Sequence, residues 1–481
     1  MIRRSLLFLL AVILVLVIIV LVNTFRFISI QTLYEAKPAP ELSHLSQKNL
    51  SDAIGYQTIS YGDTSRLDSS QFLGFHRFLK TTYPLVHEKL LREHILKYSL
   101  LYKWEGKNSS LNPIVLMAHQ DVVPIEEASK GMWTVDPFAG TVKDDFIWGR
   151  GTTDDKINLI SIMEATEKLL GENFQPERTI YFAFGHDEEM GGYGARAIAA
   201  LLKSRNIKAE LILDEGGIIT NNKVPGMNKP VALLGTSEKG YLSLQLSVEK
   251  NGGHSSMPEK ETSIDILTKA IVRLREKPFE ARFSPSTQGF IKYLGPEMPF
   301  TNKMAFANIW LFKPMVVGIY EKSAAGNAMI RTTAVPTIID AGIKDNVVPT
   351  VATATVNFRL LPGDSSALVI RKVEEIINDE RVQINSETSF VSEPSAVTAE
   401  DSYAFKKVDE LIKKSFAGIT TSPFLMIGGT DSRYFSEVSD GIIKFSPMID
   451  PIGFHGIDER VSLKSYQGAI WFYEQLLREA K

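Results

Sequence analysis

Ile180-Tyr181-Phe182-Ala183-Phe184-Gly185-His186-Asp187-Glu188-Glu189 is an apolar run that opens directly onto a histidine, an aspartate and two adjacent glutamates. A run this apolar reads as a strand buried on both faces, as in a parallel sheet. Open α/β sheets place their chemistry just beyond the carboxyl ends of such strands. Carboxylates gathered there need a cation. Four other stretches supply partners. His119-Gln120-Asp121 follows the apolar run Ile114 to Ala118, and Asp214-Glu215 follows Leu211 to Leu213. Asp154-Asp155 lies in Gly149-Arg150-Gly151-Thr152-Thr153-Asp154-Asp155-Lys156, and His455 in Gly453-Phe454-His455-Gly456. Carboxylate oxygens mixed with imidazole, without a thiolate, suit a zinc-like divalent ion or a pair of them.

Working outward, Leu73 to Leu91 has helical apolar spacing, Tyr98 to Trp104 is strand-like, and Asp155 to Leu170 reads as an amphipathic helix ending near Gly171. A helix from about Gly194 to Ser204 separates the strands at 180 and 211. Strands and helices alternating at this spacing indicate a doubly wound α/β layer. After about Ser237 the pattern changes. Leu242 to Val248 alternates apolar and polar residues strictly, the mark of a half-buried antiparallel strand. Ser263 to Arg275 reads as a helix and Ala352 to Leu360 as a strand. The aromatic, poorly periodic stretch Phe283 to Tyr320 reads as a loop packed on its own domain, or else as the wall of a pocket for an apolar substrate. From about Ala404 the α/β character returns and a helix from Lys464 to Arg478 closes the chain. The expected architecture is therefore α/β: a doubly wound mixed-sheet catalytic domain (66–237 and 393–481) with an inserted α+β lid (238–392).

The 481 residues suffice for two cores, and a net charge of 53 minus 56, or −3, without a basic stripe argues against a nucleic-acid binder. Cysteine is absent, which excludes disulfides, thiolate zinc sites and a cysteine nucleophile. Leu6 to Val22 is an unbroken apolar run preceded by Arg3 and Arg4. It reads as one uncleaved transmembrane anchor (1–30) followed by a polar tether (31–65). The positive-inside rule then predicts a single-pass membrane protein with its N-terminus in the cytoplasm and its catalytic domain outside.

Each acidic pair or histidine taken alone is unremarkable on a protein surface. Carboxylates at the ends of three apolar strands are different, because such strands would otherwise expel them. There are more ligands here than one ion uses, so two ions bridged by a carboxylate is the natural reading. Asp121, two residues from His119 on an extended strand, faces the same way and can orient that imidazole. One of Glu188 and Glu189 can ligate while the other takes a proton from water.

Met117 to Pro124, Trp148-Gly149-Arg150-Gly151 with Asp154-Asp155-Lys156, Gly185 to Glu189, Leu213-Asp214-Glu215-Gly216 and Gly252-Gly253-His254-Ser255-Ser256 together resemble the co-catalytic zinc metallopeptidase family of aminoacylase, glutamate carboxypeptidase and carboxypeptidase S. The likeness runs from about Phe72 to the C-terminus. It is nearest to the branch of carboxypeptidase S and the N-fatty-acyl-amino-acid synthase/hydrolases. The resemblance implies two Zn2+ ions, or another divalent metal such as Co2+ or Mn2+, held by His119, Asp154, Glu189, Asp214 and His455, with Asp154 bridging. It implies Glu188 as general base, Asp121 as the residue orienting His119, and His254 as an oxyanion donor that in dimeric members crosses from the partner subunit. Asp155 and Glu215 are left out of the ligand set.

The lid would then be of the dimerisation type, and a homodimer is possible. Asn346 matches a substrate-facing position of the lid, and Arg359 and Arg433 are candidates to clamp a substrate carboxylate with a guanidinium fork. The expected activity is hydrolysis of an amide bond beside a free carboxylate, in short peptides or N-acyl-amino acids. An aminopeptidase or dipeptidase on the same scaffold, or a receptor that has kept the fold, are the rival readings.

Overall fold

The computed structural model describes residues 2–386 and 390–480. Its centre is an eight-stranded mixed sheet, ordered Leu91–Ile95, Ser99–Trp104, Ile180–Gly185, Ile114–His119, Leu211–Thr220, Ile442–Ile449, Val231–Glu238 and Thr420–Met426. Ile114–His119 runs parallel to both neighbours, and every one of its residues is buried. The same is true along Ile180–Gly185. Burial on both faces explains why these strands are continuous apolar runs rather than alternating ones. Helices Lys156–Gly171 and Leu463–Glu479 cover one face, where Ile157, Ile160, Leu213, Phe445, Phe472 and Leu476 share a core. Helix Tyr193–Ser204 covers the other with Ala195, Ile198 and Leu202.

A second sheet is antiparallel, ordered Thr333–Ala341, Val351–Leu360, Gly240–Glu249 and Gln383–Asn385. Leu242, Leu244, Leu246 and Val248 pair in register with Phe358, Val356, Ala354 and Ala352. All eight point inward beneath helices Ser263–Glu276 and Ser366–Ile377. The strict alternation in sequence is the imprint of this one-sided burial.

Two expectations differ from the structure. Residues 283–320 form helices, Pro285–Leu294, Phe300–Ala307 and Ile309–Glu321, rather than a loop. Ile309–Glu321 is apolar almost all round and contains Pro314, so no amphipathic period marks it. The stretch expected as a tether includes helix His44–Ile54, whose Leu50, Ala53 and Ile54 are fully buried in the main core. Their i, i+3, i+4 spacing puts them on one face. The helix Ile2–Arg26 is long and apolar enough to cross a membrane by length and composition. Its C-terminal end packs on the chain: Asn308 donates to the carbonyl of Val20 at 3.1 Å, and the rings of Phe25 and Phe300 lie 6.1 Å apart.

Candidate active site

Parallel register sets His119 opposite Gly185, so the segment following each strand emerges at the same edge of the sheet. The amide of Gln120 donates to Gly185 O at 2.9 Å and locks the two exits together. After Gly185 the chain turns through a short helix, Glu188–Met190, and leaves it by Gly191 and Gly192, both with positive φ (112° and 68°). Only glycine adopts that pair of conformations without strain. The turn presents Glu188 and Glu189 beside His119.

Four of the expected ligands meet directly. His119 Nε2 lies 2.8 Å from Asp154 Oδ1, His455 Nε2 lies 2.6 Å from Asp154 Oδ2, and His455 Nε2 is 3.1 Å from Glu189 Oε1. Asp154 therefore has one oxygen toward each imidazole, which is how a carboxylate bridges two ions. A second group of ligating atoms is formed by His119, Asp155 and Glu215, with Glu215 Oε1 3.4 Å from His119 Nε2. Two clusters sharing His119, built of imidazole and carboxylate, are consistent with a co-catalytic di-zinc site.

Asp214 is placed otherwise. Its Oδ2 accepts the amide of Ser432 at 2.7 Å and its Oδ1 the amide of Glu215 at 3.0 Å. Glu215 beside it and Asp155 beside Asp154, both left out of the ligand set that the family resemblance implied, group with His119 instead. On strand Leu211–Thr220, alternation turns Glu215 rather than Asp214 toward that point.

The electrostatics are those of crowded acids. Burial disfavours the charged ring of His119, but the charge of Glu215 and hydrogen bonds to Asp121 and Asp154 outweigh it and hold its pKa well above the usual value. His455 is raised to about 10 by its contacts with Asp154 and Glu189. Burial pushes the Glu188 carboxyl well up, Asp431 adds to this, and His119 and Arg433 oppose it. Burial likewise raises Asp155, Glu189 and Glu215. A site that gathers this many acids is suited to divalent cations, whose charge offsets the repulsion.

Asp121 is fully buried: its Oδ1 is 3.3 Å from His119 Nδ1, and its carboxylate accepts the amides of Glu188 and Glu189 at 3.1 and 3.2 Å. Arg433 Nη2 stands 4.0 Å from Glu188 Oε1. Arg359, on the second sheet, stacks over Tyr241 at 4.8 Å, and its charge and that of Arg433 repel. His254 and Asn346 lie elsewhere, together on an exposed two-stranded ribbon (Gly253–His254 with Val347–Val348), where the amide of Ser255 donates to Asn346 O at 3.2 Å. No contact joins them to the metal ligands among the described residues.

Sequence reasoning missed Glu459, four residues after His455. It is fully buried, pairs with Arg150 at 2.5 Å and accepts from the amides of Gly151 and Thr153 at 3.0 and 2.8 Å. Arg150 also donates to Gly456 O at 3.1 Å. The loop bearing His455 is thereby tied to the loop that enters Asp154. In sequence, Asp458-Glu459-Arg460 looks like an ordinary charged turn.

The mixed sheet, the carboxylate-and-imidazole centre at its strand ends and the lid define a metal-dependent amide hydrolase. The chain belongs to peptidase family M20/M25/M40, whose match spans residues 115–479. It is 39% identical over 475 residues to a probable carboxypeptidase S-like 2 of Dictyostelium discoideum, covering 95% of this chain and 91% of that one. It is 37% identical over 439 residues to the N-fatty-acyl-amino acid synthase/hydrolase of Homo sapiens, covering 90% and 87%. Among solved structures it resembles an M20 family metallo-carboxypeptidase from Sulfolobus solfataricus (TM-score 0.66, 16% identity, 91% of this chain and 99% of that one), a likeness of fold. The chain is a zinc-dependent hydrolase that acts on amide bonds near a free carboxylate, and its partner is a small substrate carrying that carboxylate.

The expected localisation as a single-pass membrane protein, N-terminus cytoplasmic and catalytic domain outside, is overturned here. The relatives aligned along nine-tenths of the chain are named as a carboxypeptidase S-like protein and an N-fatty-acyl-amino acid synthase/hydrolase. The single apolar helix meets a test of length and composition that a signal sequence near an N-terminus also meets.

Proposed function

We propose that this enzyme releases an amino acid from an N-acyl-amino acid or short peptide by hydrolysis of the amide bond nearest the free carboxylate. His119, Asp154, Glu189 and His455 would hold the two ions. The fifth ligand comes from the Asp214–Glu215 pair, Asp214 by the family likeness and Glu215 by proximity. Bound there, a pair of divalent ions supplies Lewis acidity and a water of lowered pKa. Glu188 takes the proton of the attacking water and delivers it to the leaving amine. Asp121 fixes His119 and the backbone carrying Glu188.

The observation that carries the reading is the guanidinium of Arg433 beside Glu188, 4.0 Å away, with Arg359 near enough to repel it. Two guanidinium groups close enough to repel one another suit a substrate carboxylate next to the scissile bond. An aminopeptidase would need an acidic group for the substrate amine at that place.

The division into a catalytic domain (66–237 and 393–481) and an inserted lid (238–392) goes with this reading. His254 and Asn346, remote from the ligands on their ribbon, complete the oxyanion site when supplied by the second subunit of a homodimer. The test is hydrolysis of N-acyl-amino acids, dipeptides and their C-blocked counterparts by the full chain, with zinc, after chelation, and as Glu188→Ala. Free acids should be cleaved, and chelation should abolish the activity. Glu188→Ala should lower the rate by about 10²–10⁴-fold while zinc stays bound. Equal cleavage of C-blocked substrates would sink the assignment.

A further inference from the structure

Glu238 ends the last catalytic-domain strand before the chain crosses into the lid, and it is 2% exposed. Both crossings of the chain meet at this residue. Its amide donates to Ser395 Oγ at 2.8 Å and its carbonyl accepts the amide of Ser395 at 3.2 Å. Three residues on, Tyr241 and Ser392 exchange backbone hydrogen bonds of 2.7 and 2.9 Å.

The side chain of Glu238 turns the other way, into the catalytic domain. Oε2 accepts the amide of Thr430 at 3.1 Å, and Oε1 accepts the hydroxyls of Thr430 and Ser432 at 2.9 and 3.1 Å. Lys444, equally buried, sits 3.4 Å away. The loop so held ends in Arg433, and its Ser432 amide is the one bound to Asp214. Above it, Arg433 packs over the ring of Phe390 at 5.6 Å, Phe390 packs on Tyr241 at 5.8 Å, and Tyr241 lies under Arg359.

A buried ion pair is a poor way to gain stability, since an apolar pair of the same volume does as well or better. What the Glu238 carboxylate adds is a fixed position for three donors on one loop. Resting on the carboxylate-recognition reading above, we infer that Glu238 is a positioning residue that ties the crossing into the lid to the Thr430–Arg433 loop. The guanidinium that meets the substrate carboxylate and the root of the lid are thereby held in one register. The effect on substrate is exerted through Arg433, since Glu238 itself touches none of the ligand cluster.

The test is the ratio of kcat/KM for an N-acyl-amino acid to kcat/KM for its C-terminal amide, measured on the full-length zinc-loaded enzyme and on Glu238→Gln, with zinc content determined in parallel. The variant should lose about tenfold or more of the preference for the free acid, chiefly through KM, while retaining two zinc ions and its rate on the amide. If Glu238→Gln does not fold, the loop-side double variant Thr430→Val with Ser432→Ala removes the hydroxyl donors and decides the same ratio. An unchanged ratio, or a loss of zinc that lowers both substrates equally, would overturn the inference. A wild-type enzyme with no preference for the free acid would instead overturn the carboxylate reading on which it rests.

Discussion

Asp121 and Glu188, 67 residues apart, are joined by a single hydrogen bond in which the amide of Glu188 donates to Asp121 Oδ1 at 3.1 Å. The carboxylate that abuts His119 thus also fixes the backbone of Glu188, the proposed base. His119 Nδ1 has a further partner in the carbonyl of Asp121, at 2.9 Å. That contact survives a change of side chain.

Asp121→Asn should therefore keep the imidazole oriented while turning an N–H toward one of two backbone N–H groups. Loss of such a supporting partner costs on the order of 10–100-fold. Here it should fall on both kcat and zinc affinity, because the displaced segment carries Glu188 and Glu189 together. Steady-state kinetics with a competitive zinc titration checks it. Unchanged values of both would mean that the Asp121 carboxylate does not position that segment.

Arg150→Ala should unfold or loosen the molecule. It leaves Glu459 buried and unpaired, which costs about 3–5 kcal/mol. It also removes the donor to Gly456 O, freeing the His455 loop. A lowered urea midpoint together with loss of about one zinc ion per chain is the expected outcome, measured by chemical denaturation and metal analysis. Arg150→Lys retains the charge without the fork and should recover part of both.

Lys156 supplies a pH prediction. Its ammonium is fully buried against Phe75, hydrogen-bonded to Ala53 O at 3.0 Å and Tyr56 O at 2.5 Å, and burial brings its pKa down from 10.5 to about 7. Between pH 7 and 10.5 the unfolded chain holds the proton and the folded chain does not, so this group's contribution to stability rises with pH across that window. Below pH 7 both forms are protonated and the contribution is flat at its lowest. The slope is on the order of 1 kcal/mol per pH unit. Lys156→Met should abolish it, as read from urea unfolding at pH 7 and pH 9. A slope unchanged by the substitution would assign it to other groups.

Much of this was legible in the sequence, for particular reasons. Ile114–His119 and Ile180–Gly185 could be found because double-sided burial demands unbroken apolar runs, and their terminal acids stood out against them. Leu242 to Val248 was visible because one-sided burial imposes alternation. Glu238 and Glu459 were not visible, since a buried carboxylate differs from a solvated one only in what surrounds it, and its donors lie hundreds of residues away. The placement of Asp214 against Glu215 was also out of reach. Adjacent carboxylates are distinguished by which way the strand turns each side chain.

His455 meets Asp154 across 301 residues of chain. A polypeptide still being synthesised can fold the strands that carry His119 and Glu189 long before that histidine leaves the ribosome. Until then one side of Asp154 has no imidazole, and the proposed ligand set lacks a donor. On that ligand set, hydrolytic competence waits for the segment that carries His455, so that a chain stopped short of it is expected to be inert.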